Sequence, residues 1–183
     1  MIWPFDQLAS PRSPSRGTIE TIYGMIVAQA REPAFYQSFG VQDTVNGRFE
    51  MVVLHLWLVL RRAREQSDNA AFAQILFDHF CSDLDANLRE MGVGDLAVPK
   101  RMQAFGEAFY GRAAAYDVAL ADEEDSHAAL TKTLSRNVLN GFGTDKAKLL
   151  EAYVREALAG LAQVDSAALR SGRFRFPAVS KPA

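Results

Sequence analysis

A chain of 183 residues with 49% apolar and 23% charged side chains can bury one sizeable core, since domains commonly hold roughly 100–150 residues. Its 20 basic and 22 acidic residues leave a net charge of −2, which gives no global attraction to nucleic acid or to an anionic membrane and argues against specific DNA binding. The single Cys81 excludes an internal disulfide framework and fits a reducing compartment.

Residues 1–17, with Pro4, Pro11 and Pro14 among Ser10, Ser13 and Ser15, read as a flexible arm. The opening Met1-Ile-Trp-Pro-Phe-Asp-Gln-Leu8 lacks the charged start and apolar run of a secretory signal, so a cytoplasmic location is expected. From Thr18, the residues Ile22, Tyr23, Ile26, Val27 and Ala30 recur at helical spacing, and Pro33 breaks or restarts that helix. A short turn through Phe35, Tyr36 and Phe39 closes at Gly40.

Asn46-Gly47 then reads as a turn before a helix over about residues 48–65. Its centre, residues 51–60, is apolar on every side except at His55. A helix apolar all round is buried in protein or lipid. Ten residues fall short of the about 20 needed to cross a bilayer. The segment is expected to be the central helix of the domain, with Glu50, Arg61, Arg62 and Arg64 at its wet ends.

Ser67-Asp68 offers a cap for a third helix running to Met91, with Phe72, Ile75, Leu76, Phe80, Leu84, Leu88 and Met91 as its apolar stripe. Gly92 and Gly94 mark a loop, and Pro99 suits the first turn of a helix over about 100–121. That helix turns Met102, Phe105, Phe109, Ala113, Tyr116 and Leu120 inward. The acidic run at residues 122–125 favours another helix start, ending at Asn140-Gly141. Thr144 can cap a last helix through Leu161. The expected architecture is all-α: a single-domain bundle of six or seven helices around a central buried helix. The domain spans residues 18–165, and residues 166–183 form a basic, aromatic C-terminal tail.

Little in the chain points to catalysis. A metal site needs three or four converging ligands, whereas His55, His79 and His127 are scattered, so His79 and Asp83 read as an ordinary helix pair. No Ser or Cys occupies a strand-to-helix elbow, and Gly92-x-Gly94 lacks the third glycine of a dinucleotide turn. Neither an enzyme nor a bound cofactor is expected. Candidate partner-binding residues are the i, i+4 pair Asp85 and Arg89, the patch of Tyr110 and Arg112, and the tail residues Arg173, Phe174 and Arg175. The tail could dock on an anionic membrane or on RNA, and is otherwise a frayed terminus whose removal leaves the fold intact.

Several blocks carry a more specific signal. They are Ile22-Tyr-Gly-Met-Ile-Val-Ala-Gln-Ala-Arg31, Phe35-Tyr36, Asp43-Thr-Val-Asn-Gly-Arg-Phe49 and His55-Leu56. The most specific are Asp85-Ala-Asn-Leu-Arg-Glu-Met-Gly-Val-Gly-Asp95 and Ala108-Phe-Tyr-Gly-Arg-Ala-Ala-Ala-Tyr-Asp117. Together, over about residues 20–140, they make the chain resemble the ubiquinol–cytochrome c chaperone family, in its bacterial form. The resemblance implies a non-catalytic assembly chaperone of respiratory complex III that binds newly made cytochrome b. It also implies, as further partners, a second small chaperone or the ribosome, and a peripheral contact at the inner membrane. The expected device is a groove lined by aromatic and Met side chains that shields apolar helices. The alternative, from another class, is a helical small-molecule or haem-binding protein using the interior around His55 or His79.

Overall fold

The computed structural model describes residues 14–179, which form α1 (Arg16–Ala30), α2 (Pro33–Gln37), α3 (Val45–Arg64), a 3₁₀ turn (Ser67–Asn69), α4 (Ala70–Glu90), α5 (Val98–Leu120), α6 (Ser126–Val138), α7 (Thr144–Ala162) and α8 (Ser166–Arg170). Six of these helices are long, while α2 and α8 have five residues each. Among the described residues there is no strand. The arm expected at residues 1–17 lies mostly outside the described residues, and α1 starts two residues before Thr18, at Arg16.

The middle of α3 is the hub. From Met51 to Leu60 every side chain but Val52 is buried, and α3 packs against α1, α4, α5, α6 and α7. Its ends follow capping physics. The Thr44 hydroxyl accepts a hydrogen bond from the Gly47 amide (3.1 Å), and Arg61, Arg62 and Arg64 face the negative end of the helix dipole. Asn46 and Gly47 thus lie inside the first turn of α3 rather than in a turn before it. Glycine is needed there for space: a Cβ would stand 2.0 Å from the Gln42 carbonyl oxygen.

Two further boundaries differ from expectation. Thr144 is the first residue of α7, and Gly143 occupies the cap with φ 73°, a left-handed value that glycine adopts at little cost. Met91 does not close an apolar stripe, because α4 ends at Glu90 and leaves Met91 62% exposed.

The larger correction concerns residues 166–183, expected to be a separable tail. Through Val179 this segment is part of the body. In α8, Leu169 is fully buried, Ser166 donates to Asp68 (2.7 Å), and Arg170 bonds both Asp68 (2.6 Å) and the buried Asn69 (2.8 Å). Beyond it, Phe174 is only 6% exposed, Phe176 meets the His55 ring edge-on at 5.2 Å, and the Pro177 carbonyl accepts from Gln29 (3.1 Å). The reason is stoichiometric: α1 and α3 present more apolar surface than the long helices can cover, and two Phe rings at alternate positions of an extended run fill the rest.

Candidate functional site

A groove of about 670 Å³ opens where the N-terminal half of α3 meets α1, the end of α4 and the middle of α5. Val27 from α1, Val45, Phe49 and Val52 from α3, Leu84 and Leu88 from α4, Met91 just past its end, and Phe105 from α5 supply its apolar walls. The helices explain the placement. Residues 45, 49 and 52 recur at i, i+4 and i+7 along α3 and form one ridge facing the gap, while Leu84 and Leu88 stand at i and i+4 near the end of α4 with Met91 at its C-cap. Phe49 and Phe105 meet across it at 4.9 Å between ring centroids.

Charged side chains surround this surface. At its base the Arg112 guanidinium grips Glu50 with both arms, Nη2 donating to Oε1 at 2.7 Å and Nε to Oε2 at 3.0 Å. Glu50 is 2% exposed, so Arg112 answers a carboxylate that has left water. On the α1 side the Tyr23 hydroxyl donates to Asp83 (2.9 Å); burial, and then the Asp83 charge, push that phenol far above its ordinary range. Arg48 pairs with Asp43 (2.7 Å) at the outer edge.

A second α3–α5 brace lies one end further along. Asp117 accepts from the Trp57 indole (3.0 Å), Arg61 (2.7 Å) and Arg64 (2.9 Å). Tyr116 packs on Trp57 at 4.9 Å. The Tyr116 hydroxyl is buried without a hydrogen bond of good geometry. Burial, and then the Glu50 charge, raise its pKa well above the usual tyrosine value, while Asn137 and Arg112 act the other way.

The interior offers no open ligand position at His55. Its Nδ1 bonds the Met51 carbonyl (2.8 Å) and its Nε2 the Tyr153 hydroxyl (2.8 Å). A carbonyl only accepts, so Nδ1 carries the proton and Nε2 accepts from Tyr153; Tyr153 in turn accepts from Gln29 (3.0 Å). Burial pushes the His55 pKa down to about 4, with the Met51 bond opposing, so the ring is a neutral and satisfied part of the core. His79 packs edge-on against Tyr23 at 5.0 Å. Burial, and then Asp78, raise the Cys81 pKa, which suits an inert thiol. Among the described residues no cluster of three His, Cys, Asp or Glu side chains could hold a metal ion.

The partner candidates read from the sequence do not converge. Arg112 alone of the seven lines the groove, and it is tied to Glu50. Asp85 and Arg89 form an exposed pair at 2.6 Å that also reaches Asp95 in the α4–α5 loop. Tyr110 is 62% exposed and leans on Phe77 at 5.5 Å. Arg173 and Arg175 are exposed, whereas the buried Phe174 is not offered to any surface. The side chains that shape the groove, Val45, Phe49, Val52 and Leu84, were not among the partner candidates, because periodicity assigns apolar helical residues to a core without showing which lack a covering neighbour.

A family model described as ubiquinol–cytochrome C chaperone matches residues 37–176. The chain belongs to this family. It is 25% identical over 147 residues to ubiquinol-cytochrome-c reductase complex assembly factor 1 of Xenopus laevis, covering 79% of this chain and 72% of that one. The mouse and human factors of the same name are 26% and 27% identical over 75% and 61% of this chain, which spans 46% and 38% of their lengths. The crystal structure of the Cbp3 homolog from Brucella abortus superimposes with a TM-score of 0.78 at 38% identity, covering 89% of this chain and 90% of that one. The match through residue 176 agrees with the packing of the C-terminal run on the core.

Proposed function

We propose that this protein is a non-catalytic assembly chaperone of respiratory complex III that holds an apolar segment of newly made cytochrome b in the α1–α3–α4–α5 groove. The observation that carries the reading is an open apolar surface on a protein of this family. Val45 and Met91 are exposed at the groove, and a groove of about 670 Å³ suits a few side chains from one face of a helix. Exposed apolar patches on a globular protein mark interaction sites. Met91 and the rings of Phe49 and Phe105 can adapt to varied side chains, and flanking Arg31, Arg48 and Asp83 can meet the polar residues at a helix end.

The protein acts by binding and release. Among the described residues no helix is long and apolar enough to cross a membrane. Its place is the cytoplasmic side of the inner membrane, where the client enters the bilayer. A second small chaperone or the ribosome would use surfaces outside the groove, and the exposed Asp85–Arg89 pair and Tyr110 are the residues to probe for them.

A photoreactive amino acid placed at Val45, Leu84 or Met91 should crosslink to nascent cytochrome b, and the same probe at exposed Val118 should not. Crosslinks from position 118 alone would refute the groove assignment. Deletion of the gene should lower haem-loaded cytochrome b and complex III activity, leaving other polytopic membrane proteins near normal. A deletion strain with undiminished mature cytochrome b would end the chaperone reading.

A further inference from the structure

A second concavity, about 710 Å³, lies between α6 and the first half of α7. From α6 it receives Lys132 and Arg136, and from α7 Lys148, all exposed. Lys132 and Arg136 stand at i, i+4 on one face, an arrangement of like charges that destabilises an isolated helix. The one acidic side chain lining the cleft, Glu151, is nearly buried and already engaged by Arg155 and by His127 (2.9 Å). Fully exposed Asp145 lies 3.8 Å from Lys148, a loose contact across open solvent. The cleft therefore carries positive charge that is largely unanswered, in a chain whose net charge is −2.

The turn closing the cleft adds an independent feature. Asn140, Gly141 and Gly143 take φ values of 52°, 83° and 73°, and this left-handed path turns Phe142 outward, 71% exposed. An aromatic ring at a tip flanked by Lys and Arg is the chemistry of an interfacial anchor: the ring enters the headgroup boundary while the cations meet phosphate. The Asn140 amide also bonds Gln42 (3.2 Å), tying this turn to the loop that leads to Val45 at the groove.

We infer that the α6–α7 turn is a membrane-surface contact, in which Phe142 inserts at the interface and Lys132, Arg136 and Lys148 hold the phosphate of an anionic lipid headgroup. This surface replaces the tail as the anionic contact, since Phe174 is packed into the core and cannot insert. It places the groove beside the bilayer, but it does not depend on the identity of the client.

Flotation of the purified full chain with vesicles tests it. The protein should float with phosphatidylcholine vesicles only when they contain phosphatidylglycerol, and rising salt should release it. K132Q, R136Q and K148Q should each lower partitioning about fivefold, and the triple variant about a hundredfold. F142S should weaken it further, while R173Q/R175Q leaves it unchanged and the melting temperatures of all variants stay near that of the parent. Undiminished flotation of the triple variant, equal flotation with neutral vesicles, or loss confined to R173Q/R175Q would overturn the assignment. So would saturable calorimetric binding of inorganic phosphate without any vesicle binding, which would make the cleft a small-anion site.

Discussion

Replacing Arg112 by Met distinguishes a brace from a client contact. Among the described residues Arg112 is the sole ionic partner of Glu50, joined by hydrogen bonds of 2.7 and 3.0 Å, and Glu50 is 2% exposed. Arg112→Met retains the aliphatic stem and removes the charge, leaving a carboxylate buried alone. Breaking a buried pair in this way costs about 3–5 kcal/mol. Arg112 is itself one-third exposed, so water can partly replace it, and the lower end, about 3 kcal/mol, is expected. For a domain of this size that lowers the melting temperature by roughly 6–12 °C. Glu50→Gln should cost less, about 1 kcal/mol, because the orphaned guanidinium can turn toward solvent.

The double variant Glu50→Gln/Arg112→Met removes both charges and should cost only about 1 kcal/mol, recovering most of the loss and giving a coupling energy of about 3 kcal/mol. Urea unfolding followed by circular dichroism at neutral pH measures all three against the parent, with constant slopes confirming that the unfolding reaction is the same. If Arg112→Met stays within about 0.5 kcal/mol of the parent, as surface substitutions usually do, the brace is refuted. Arg112 would then belong with the residues that face a partner.

Two further outcomes follow from the core. Folded His55 stays neutral down to about 4, whereas an unfolded histidine takes up its proton near 6.5. Between those values the unfolded chain binds more protons, so this contribution is complete above pH 6.5 and is lost as pH falls toward 4, by roughly 3 kcal/mol; urea midpoints across that range should show the slope in the parent and not in His55→Gln, and identical slopes would contradict it. Phe174→Ala should cost about 3–5 kcal/mol, as expected of a core ring; an unchanged melting temperature would restore the reading of the C-terminal run as a detachable tail.

How much of this was legible depends on which physical signal each feature leaves. The central helix was, because ten successive residues almost without charge admit few environments, and the breaks at Pro33, Gly92 and Asn140-Gly141 come from single residues with strong backbone preferences. Asn46-Gly47 was misplaced because the pair also favours turns; only the Gln42 carbonyl, brought against Gly47 by the folded loop, shows that the glycine provides clearance inside α3. The C-terminal run was misjudged for a related reason. Arg173-Phe174-Arg175-Phe176 has no helical period, and its burial depends on a cleft made by α1 and α3, more than 100 residues away in sequence. Chemistry at His55 could be excluded only after Met51 and Tyr153 were seen to occupy both ring nitrogens.

The block at residues 108–117 illustrates how a sequence signature can be specific without being a binding epitope. Its Arg112, Tyr116 and Asp117 reach Glu50, Trp57, Arg61 and Arg64 on α3, so half of its polar chemistry is spent holding α5 at a fixed distance from the hub. Such pairs demand particular residue types at both ends, because a buried charge tolerates few substitutes. The groove walls make a weaker demand: Val, Leu, Met and Phe exchange readily where only apolar area and approximate volume matter. The residues that recognise a client can therefore be the less distinctive ones in the sequence, while the distinctive ones keep the walls at the spacing that lets a helix enter. On the proposed reading of the groove, Arg112 and Asp117 would serve the function through the position of α5, and direct contact would fall to Val45, Phe49, Leu84 and Met91.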